Sequence, residues 1–69
     1  MSATAVLAPG EVLRIFRLGI GASTRDVARV AHIGRARLRA FEAGKHDVLT
    51  ELVVTYALAH IANHGKPAT

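Results

Sequence analysis

His32–His46 reads HIGRARLRAFEAGKH. Three arginines stand at alternate positions (Arg35, Arg37 and Arg39), and the stretch closes on Phe41, Glu42, Ala43 and Gly44. At about 100° per residue, Leu38 and Phe41 fall on one face of a helix, while Arg35, Ala36, Arg39 and Ala40 share the other. Arg37 lies at the flank. Gly44 is placed as the stop, where a left-handed backbone costs glycine nothing. The outer face thus alternates long forked cations with methyl groups. Glu42, three residues beyond Arg39, is the one acid close enough in sequence to neutralise it.

The charge around this helix is local. The 69-residue chain has a net charge of +4, and seven of its nine basic residues are arginine. Six of the nine (Arg25, Arg29, Arg35, Arg37, Arg39 and Lys45) lie between 25 and 45, against two acids, Asp26 and Glu42. Such a patch favours a polyanionic partner, and arginine suits forked contacts with phosphate or guanine. The bland alternative is a solvated helix face.

A chain of this length makes one small domain with a marginal core. It contains no cysteine, so stability must come from packing or from a second chain. No amino-terminal basic region precedes an apolar run, and no apolar stretch approaches the roughly 18 residues of a membrane span, so a soluble cytoplasmic protein is expected, with no membrane partner.

The remaining elements are helical. Residues 1–8 read as a flexible arm. Pro9 and Gly10 punctuate the chain where a first helix starts, with Glu11 at its positive end and Val12, Leu13, Ile15, Phe16 and Leu18 at helical spacing; Gly19 and Gly21 end it. Ser23 or Thr24 caps a second helix carrying Asp26 in its first turn and Val27, Ala28, Val30 and Ala31 as its apolar stripe. It stops at His32-Ile33-Gly34, and the arginine-bearing helix follows. After a loop at 45–48, a last helix spans Leu49 to Asn63. The domain is assigned to 9–64, and 65–69 form a polar tail.

The order of these features from Arg17 to Ile61 resembles the Cro/C1-type (lambda-repressor-like, XRE) helix-turn-helix family. The resemblance rests on Arg17, the "GAST" of 21–24, Ala28, "HIGRARL" (32–38), "FEAG" (41–44) and "LVVTYALAHI" (52–61), about two thirds of the chain. It implies an all-α, compact four- to five-helix domain that binds double-stranded DNA as a homodimeric transcriptional regulator, a repressor on a palindromic operator, with no cofactor. By that likeness Arg35, Ala36, Arg37, Arg39 and Ala40 match recognition-helix positions, Thr24 a backbone-contacting position beside Arg25, and Lys45 a phosphate contact. Arg17 and Glu42 match a structural ion pair. Two positions depart from the family pattern. His32 stands where a turn glycine is usual, so it must be strained or use the modest tolerance of histidine for positive φ. Gly34 stands where a serine or threonine usually caps the recognition helix.

Other features carry less. His46 is a candidate loop donor to phosphate. His60 and His64, four apart, do not make a tetrahedral metal site by themselves, and no metal is expected. The acids are scattered, Ser23 is better explained as a cap than as a nucleophile, and Gly19 and Gly21 lack the Gly-Lys-Ser/Thr ending of a phosphate loop; no catalytic residue is assigned. In the last helix Leu52, Tyr56, Ala57 and Ile61 are read as facing the core, and Val54 and Leu58 as facing outward. An all-round apolar helix at the edge of a small domain should not face water, so Val54, Leu58 and Ile61 are assigned to a dimer surface. Two rival functions remain: a protein-binding module such as an antitoxin or a polymerase-binding phage protein, and an architectural, excisionase-like DNA binder.

Overall fold

A computed structural model of the chain describes residues 7–66. Of the arm expected over 1–8 and the tail expected over 65–69, residues 1–6 and 67–69 lie outside the described residues. The described chain is all-α: α1 (Pro9–Gly19), α2 (Thr24–Ala31), α3 (Arg35–Glu42) and α4 (Val48–His64).

Local chemistry fixes where each helix begins. Pro9 occupies the first turn of α1, where its missing N–H costs nothing. The Glu11 carboxylate accepts the Ala8 amide at 2.8 Å. At α2 the cap is Ser23, not Thr24, and it is reciprocal: Asp26 N–H donates to Ser23 Oγ at 3.0 Å, and Ser23 N–H donates to Asp26 Oδ2 at 3.1 Å. Asp47 starts α4 by accepting the Leu49 amide at 3.2 Å.

Three helices end by one device, in which two successive amides turn back onto carbonyls of the last turn. After α1, Gly21 N–H meets Leu18 O and Ala22 N–H meets Arg17 O, both at 3.1 Å. After α2, His32 N–H meets Arg29 O at 3.3 Å and Ile33 N–H meets Ala28 O at 3.1 Å. After α3, Gly44 N–H meets Phe41 O at 3.1 Å and Lys45 N–H meets Ala40 O at 3.0 Å. The closure needs a left-handed residue. Gly21 (φ 74°) and Gly44 (φ 115°) supply it twice, and His32 (φ 59°) supplies it between α2 and α3. Histidine therefore adopts the positive φ that its place in the turn demands.

The core joins Ala22, Val27, Ala28, Ala31, Leu38, Phe41, Val54, Ala57, Leu58 and Ile61. α1 turns Gly10 and Arg17 inward with Leu13 half-buried, while Val12, Ile15, Phe16 and Leu18 stay about half exposed. Gly10 is a packing residue rather than punctuation: a Cβ there would lie 1.8 Å from Phe41 O, so α1 lies directly against the backbone of α3.

The facing of α4 corrects the assignment made from sequence. Val54, Leu58 and Ile61 are 1%, 1% and 3% exposed, sealed inside the chain's own core, and so do not form a dimer surface. Leu52 and Tyr56, read as core residues, are each 63% exposed. The reason is geometric. Val54, Ala57, Leu58 and Ile61 follow the i, i+3, i+4, i+7 spacing of one stripe, and Leu49, Leu52 and Tyr56 form a second stripe at similar spacing. A helix apolar all round gives no phase by which to choose between them.

Candidate functional site

The site is built on α3. Arg35, Ala36 and Arg39 are exposed and Ala40 is half-buried, while Leu38, Phe41 and Glu42 are buried beneath them. Arg35 and Arg39 sit one turn apart, which brings their stems to neighbouring positions on the surface. Neither takes part in any of the ion pairs formed among the described residues. The helix start adds to the positive field, because Gly34 provides no side-chain cap and the first turn holds no acid.

Two polar devices hold this helix in place. From the inner side, Arg17 grips Glu42, with Nε to Oε2 at 2.8 Å and Nη2 to Oε1 at 3.0 Å. Its remaining nitrogen donates to Ala22 O at 3.0 Å, which ties α1, the α1–α2 turn and α3 together. From the far flank, Arg37 donates to Thr50 Oγ1 and to Asp47 Oδ2, both at 2.8 Å. The Thr50 hydroxyl in turn donates to Asp47 Oδ2 at 2.6 Å. The Thr50 hydroxyl, and then the Arg37 guanidinium, lower the Asp47 pKa to about 2.

The residues assigned to one interface thus divide. Arg35, Ala36 and Arg39 are presented together, and Lys45 stands at the rim of a recess of about 390 Å³ whose walls include Ala36, Ala40 and Phe41. Arg37 points along the flank into its contacts with Asp47 and Thr50. His46 Nε2 lies 3.0 Å from Glu51 Oε1, so this ring, read from sequence as a phosphate donor, has a partner inside the fold. Thr24 is half-buried and Arg25 exposed at the start of α2. On the other side of α3 from the Lys45 recess, a cleft of about 380 Å³ is lined by Arg25, Ala28, Arg29, Ile33 and Arg35.

Comparison of the chain with protein-family models, curated proteins and solved structures finds no match.

Sequence reasoning missed the part played by Thr50, which is buried yet polar. Its signal was present, since Asp47 and Thr50 stand in the spacing of a capping motif. It also missed that Arg29 helps to line the α2–α3 cleft, although Arg25 and Arg29 are four apart on a helix. As for metals, the His60 and His64 rings lie 4.7 Å apart, but among the described residues no group of three or more His, Cys, Asp or Glu gathers. No described helix is long and apolar enough to cross a membrane.

Proposed function

We propose that the chain is a double-stranded DNA-binding transcriptional regulator of the Cro/C1-type helix-turn-helix kind, acting in the cytoplasm as a homodimeric repressor on a palindromic operator. The observation that carries this reading is the face of α3, where Arg35, Ala36 and Arg39 are exposed together on a helix clamped by Arg17–Glu42 on one side and Arg37–Asp47 on the other. In a major groove, Arg35 and Arg39 would meet guanine O6 and N7, and Ala36 would leave room or touch a thymine methyl. A clamped helix suits this task because base readout depends on register. Arg37 belongs to the clamp in this reading. Lys45 supplies a backbone contact, and Thr24 and Arg25 flank it from α2.

Two copies would place two such helices in successive major grooves, about 34 Å apart, and occlude the promoter. Leu49, Leu52 and Tyr56 on the outer stripe of α4 supply the apolar surface for pairing. The test is binding of the purified protein to the duplex upstream of its own reading frame against a scrambled duplex at two salt concentrations. Tight, selective and steeply salt-dependent binding that loses selectivity on Arg35→Ala supports the reading. Equal weak binding to both duplexes overturns it.

One observation favours a second reading. Val12, Ile15, Phe16 and Leu18 are about half exposed on α1, a surface that suits a module holding another protein. Co-purification of a stoichiometric protein in place of DNA binding would decide for it.

A further inference from the structure

We propose that His60 and His64, at the end of α4, bind a zinc-type divalent cation shared between two copies of the chain. The two residues stand four apart on one helix, so their side chains leave the same face one turn apart. Their ring centroids lie 4.7 Å from each other, close enough for one nitrogen of each ring to reach a single cation at the zinc–imidazole distance of about 2.0–2.1 Å. His60 also stacks on Tyr56, with centroids 5.9 Å apart and planes inclined by 30°, which restricts the ring before any cation arrives. The last turn is closed around His64 by the Gly65 amide, which donates to Ile61 O at 2.7 Å. Among the described residues neither imidazole enters a hydrogen bond or an ion pair. His46, by contrast, is engaged by Glu51.

The donor set selects the cation. Glu51 is the one acid of α4, and its carboxylate lies against His46, so the site offers nitrogen rather than oxygen. Magnesium and calcium require oxygen ligands, whereas imidazole suits zinc, copper and nickel. The carbonyl end of α4 beside the pair favours positive charge. Zinc takes four ligands in a tetrahedron, and one chain supplies two.

A second copy supplies the others. Leu49, Leu52, Tyr56, His60 and His64 follow one stripe along α4, and Leu52 and Tyr56 are exposed on it. Here the inference rests on the pairing through this outer stripe put forward above. Two α4 helices packed side by side in the same direction, with axes about 8–10 Å apart, set each histidine pair opposite its equivalent, and four imidazoles meet at one end of the seam. Antiparallel packing centred on Leu52 and Tyr56 sends the two pairs to opposite ends. The apolar residues favour contact without specifying its direction, and the shared cation specifies it.

The experiment uses the untagged full chain with His60→Ala and His64→Gln, each checked by circular dichroism. Zinc is titrated by calorimetry, the monomer–dimer equilibrium is measured by sedimentation with zinc and with a chelator, and cobalt(II) is added as a visible probe of coordination. The expected result is one zinc per two chains, a dimer tightened by zinc and loosened again by the chelator, and the strong visible bands of tetrahedral cobalt. All three effects should be lost in both variants, while in chelator the three proteins associate alike. One cation per chain with no change in assembly overturns the shared site, as does binding that survives in both variants. A dimer that forms equally with zinc and with chelator, and binds no zinc through these histidines, overturns the site and leaves the α4 pairing standing. A chain that stays monomeric under every condition overturns that pairing, and the shared site with it.

Discussion

Arg17 and Glu42, 25 residues apart, meet through two parallel N–H···O bonds at 2.8 and 3.0 Å, with their side chains only 10% and 7% exposed. A pair this buried is costly to break, because the surviving partner is left as an uncompensated charge. Glu42→Ala would strand Arg17, with Ala22 O as its one remaining acceptor among the described residues. The variant is expected to lose about 3–5 kcal/mol, read by urea unfolding. Arg17→Met/Glu42→Leu, which removes both charges, should lose much less. Equal losses in the two variants would show that the site matters through shape rather than charge.

Gly10 is expected to tolerate no side chain. Gly10→Ala sets a methyl group 1.8 Å from Phe41 O, against backbone that cannot rotate away, so α1 and α3 must separate. Overpacking of this kind costs roughly 1–3 kcal/mol or more. Gly19→Ala, whose methyl group meets nothing within 4 Å, is the comparison. Thermal unfolding should show a large fall in Tm for the first substitution and little change or a gain for the second.

The turn between α2 and α3 is held by a residue poorly suited to its backbone. His32 sits at φ 59° and ψ 43°, where a Cβ is penalised and glycine is not. His32→Gly should therefore raise stability, by up to about 1 kcal/mol, and His32→Val should lower it. A destabilised glycine variant would mean that the imidazole makes a stabilising contact outweighing its backbone cost.

These three sites show what could be read in advance. Helix limits were legible because Ser23, Gly21 and Gly44 have strong local preferences. The Arg17–Glu42 pair was legible only through the family pattern, since nothing local links residues 25 apart. Gly10 was misread because a glycine after proline is equally good punctuation, and only the approach of another helix tells the two apart. Arg37 and Arg39 are the same residue type on one helix, yet one is engaged by Asp47 and Thr50. Their difference depends on where α4 begins in space, which the sequence of α3 does not contain.

The Asp47 cluster predicts an acid limb. Its pKa falls from 3.8 to about 2 in the folded state, chiefly through the Thr50 hydroxyl and then through Arg37. The folded protein thus holds the ionised form more tightly than the unfolded chain. That contribution is complete above the unfolded value and is lost as pH falls through the folded one. Between pH 4 and pH 2 the unmodified protein should lose Tm more steeply than Asp47→Asn. Asp26, lowered chiefly by the Ser23 amide, acts in the same direction in both proteins and leaves the difference intact. Parallel curves would mean that Asp47 is not engaged in solution.

The two stripes of α4 should separate stability from assembly. Leu58, 1% exposed, lies within the chain's own core, so Leu58→Ala should cost about 2–5 kcal/mol through lost burial and a cavity. Leu52 and Tyr56 face outward from the same helix, each 63% exposed. Glutamate at Leu52 removes no intrachain burial of that size, but it places a charge in any interface built on the outer stripe, where an unpaired charge is strongly unfavourable. Sedimentation should therefore report the unmodified protein as a dimer and Leu52→Glu as a folded monomer, with the circular dichroism spectrum little changed. If Leu52→Glu remains a dimer, pairing uses another surface, and the exposed Val12, Ile15 and Phe16 of α1 become the next residues to substitute.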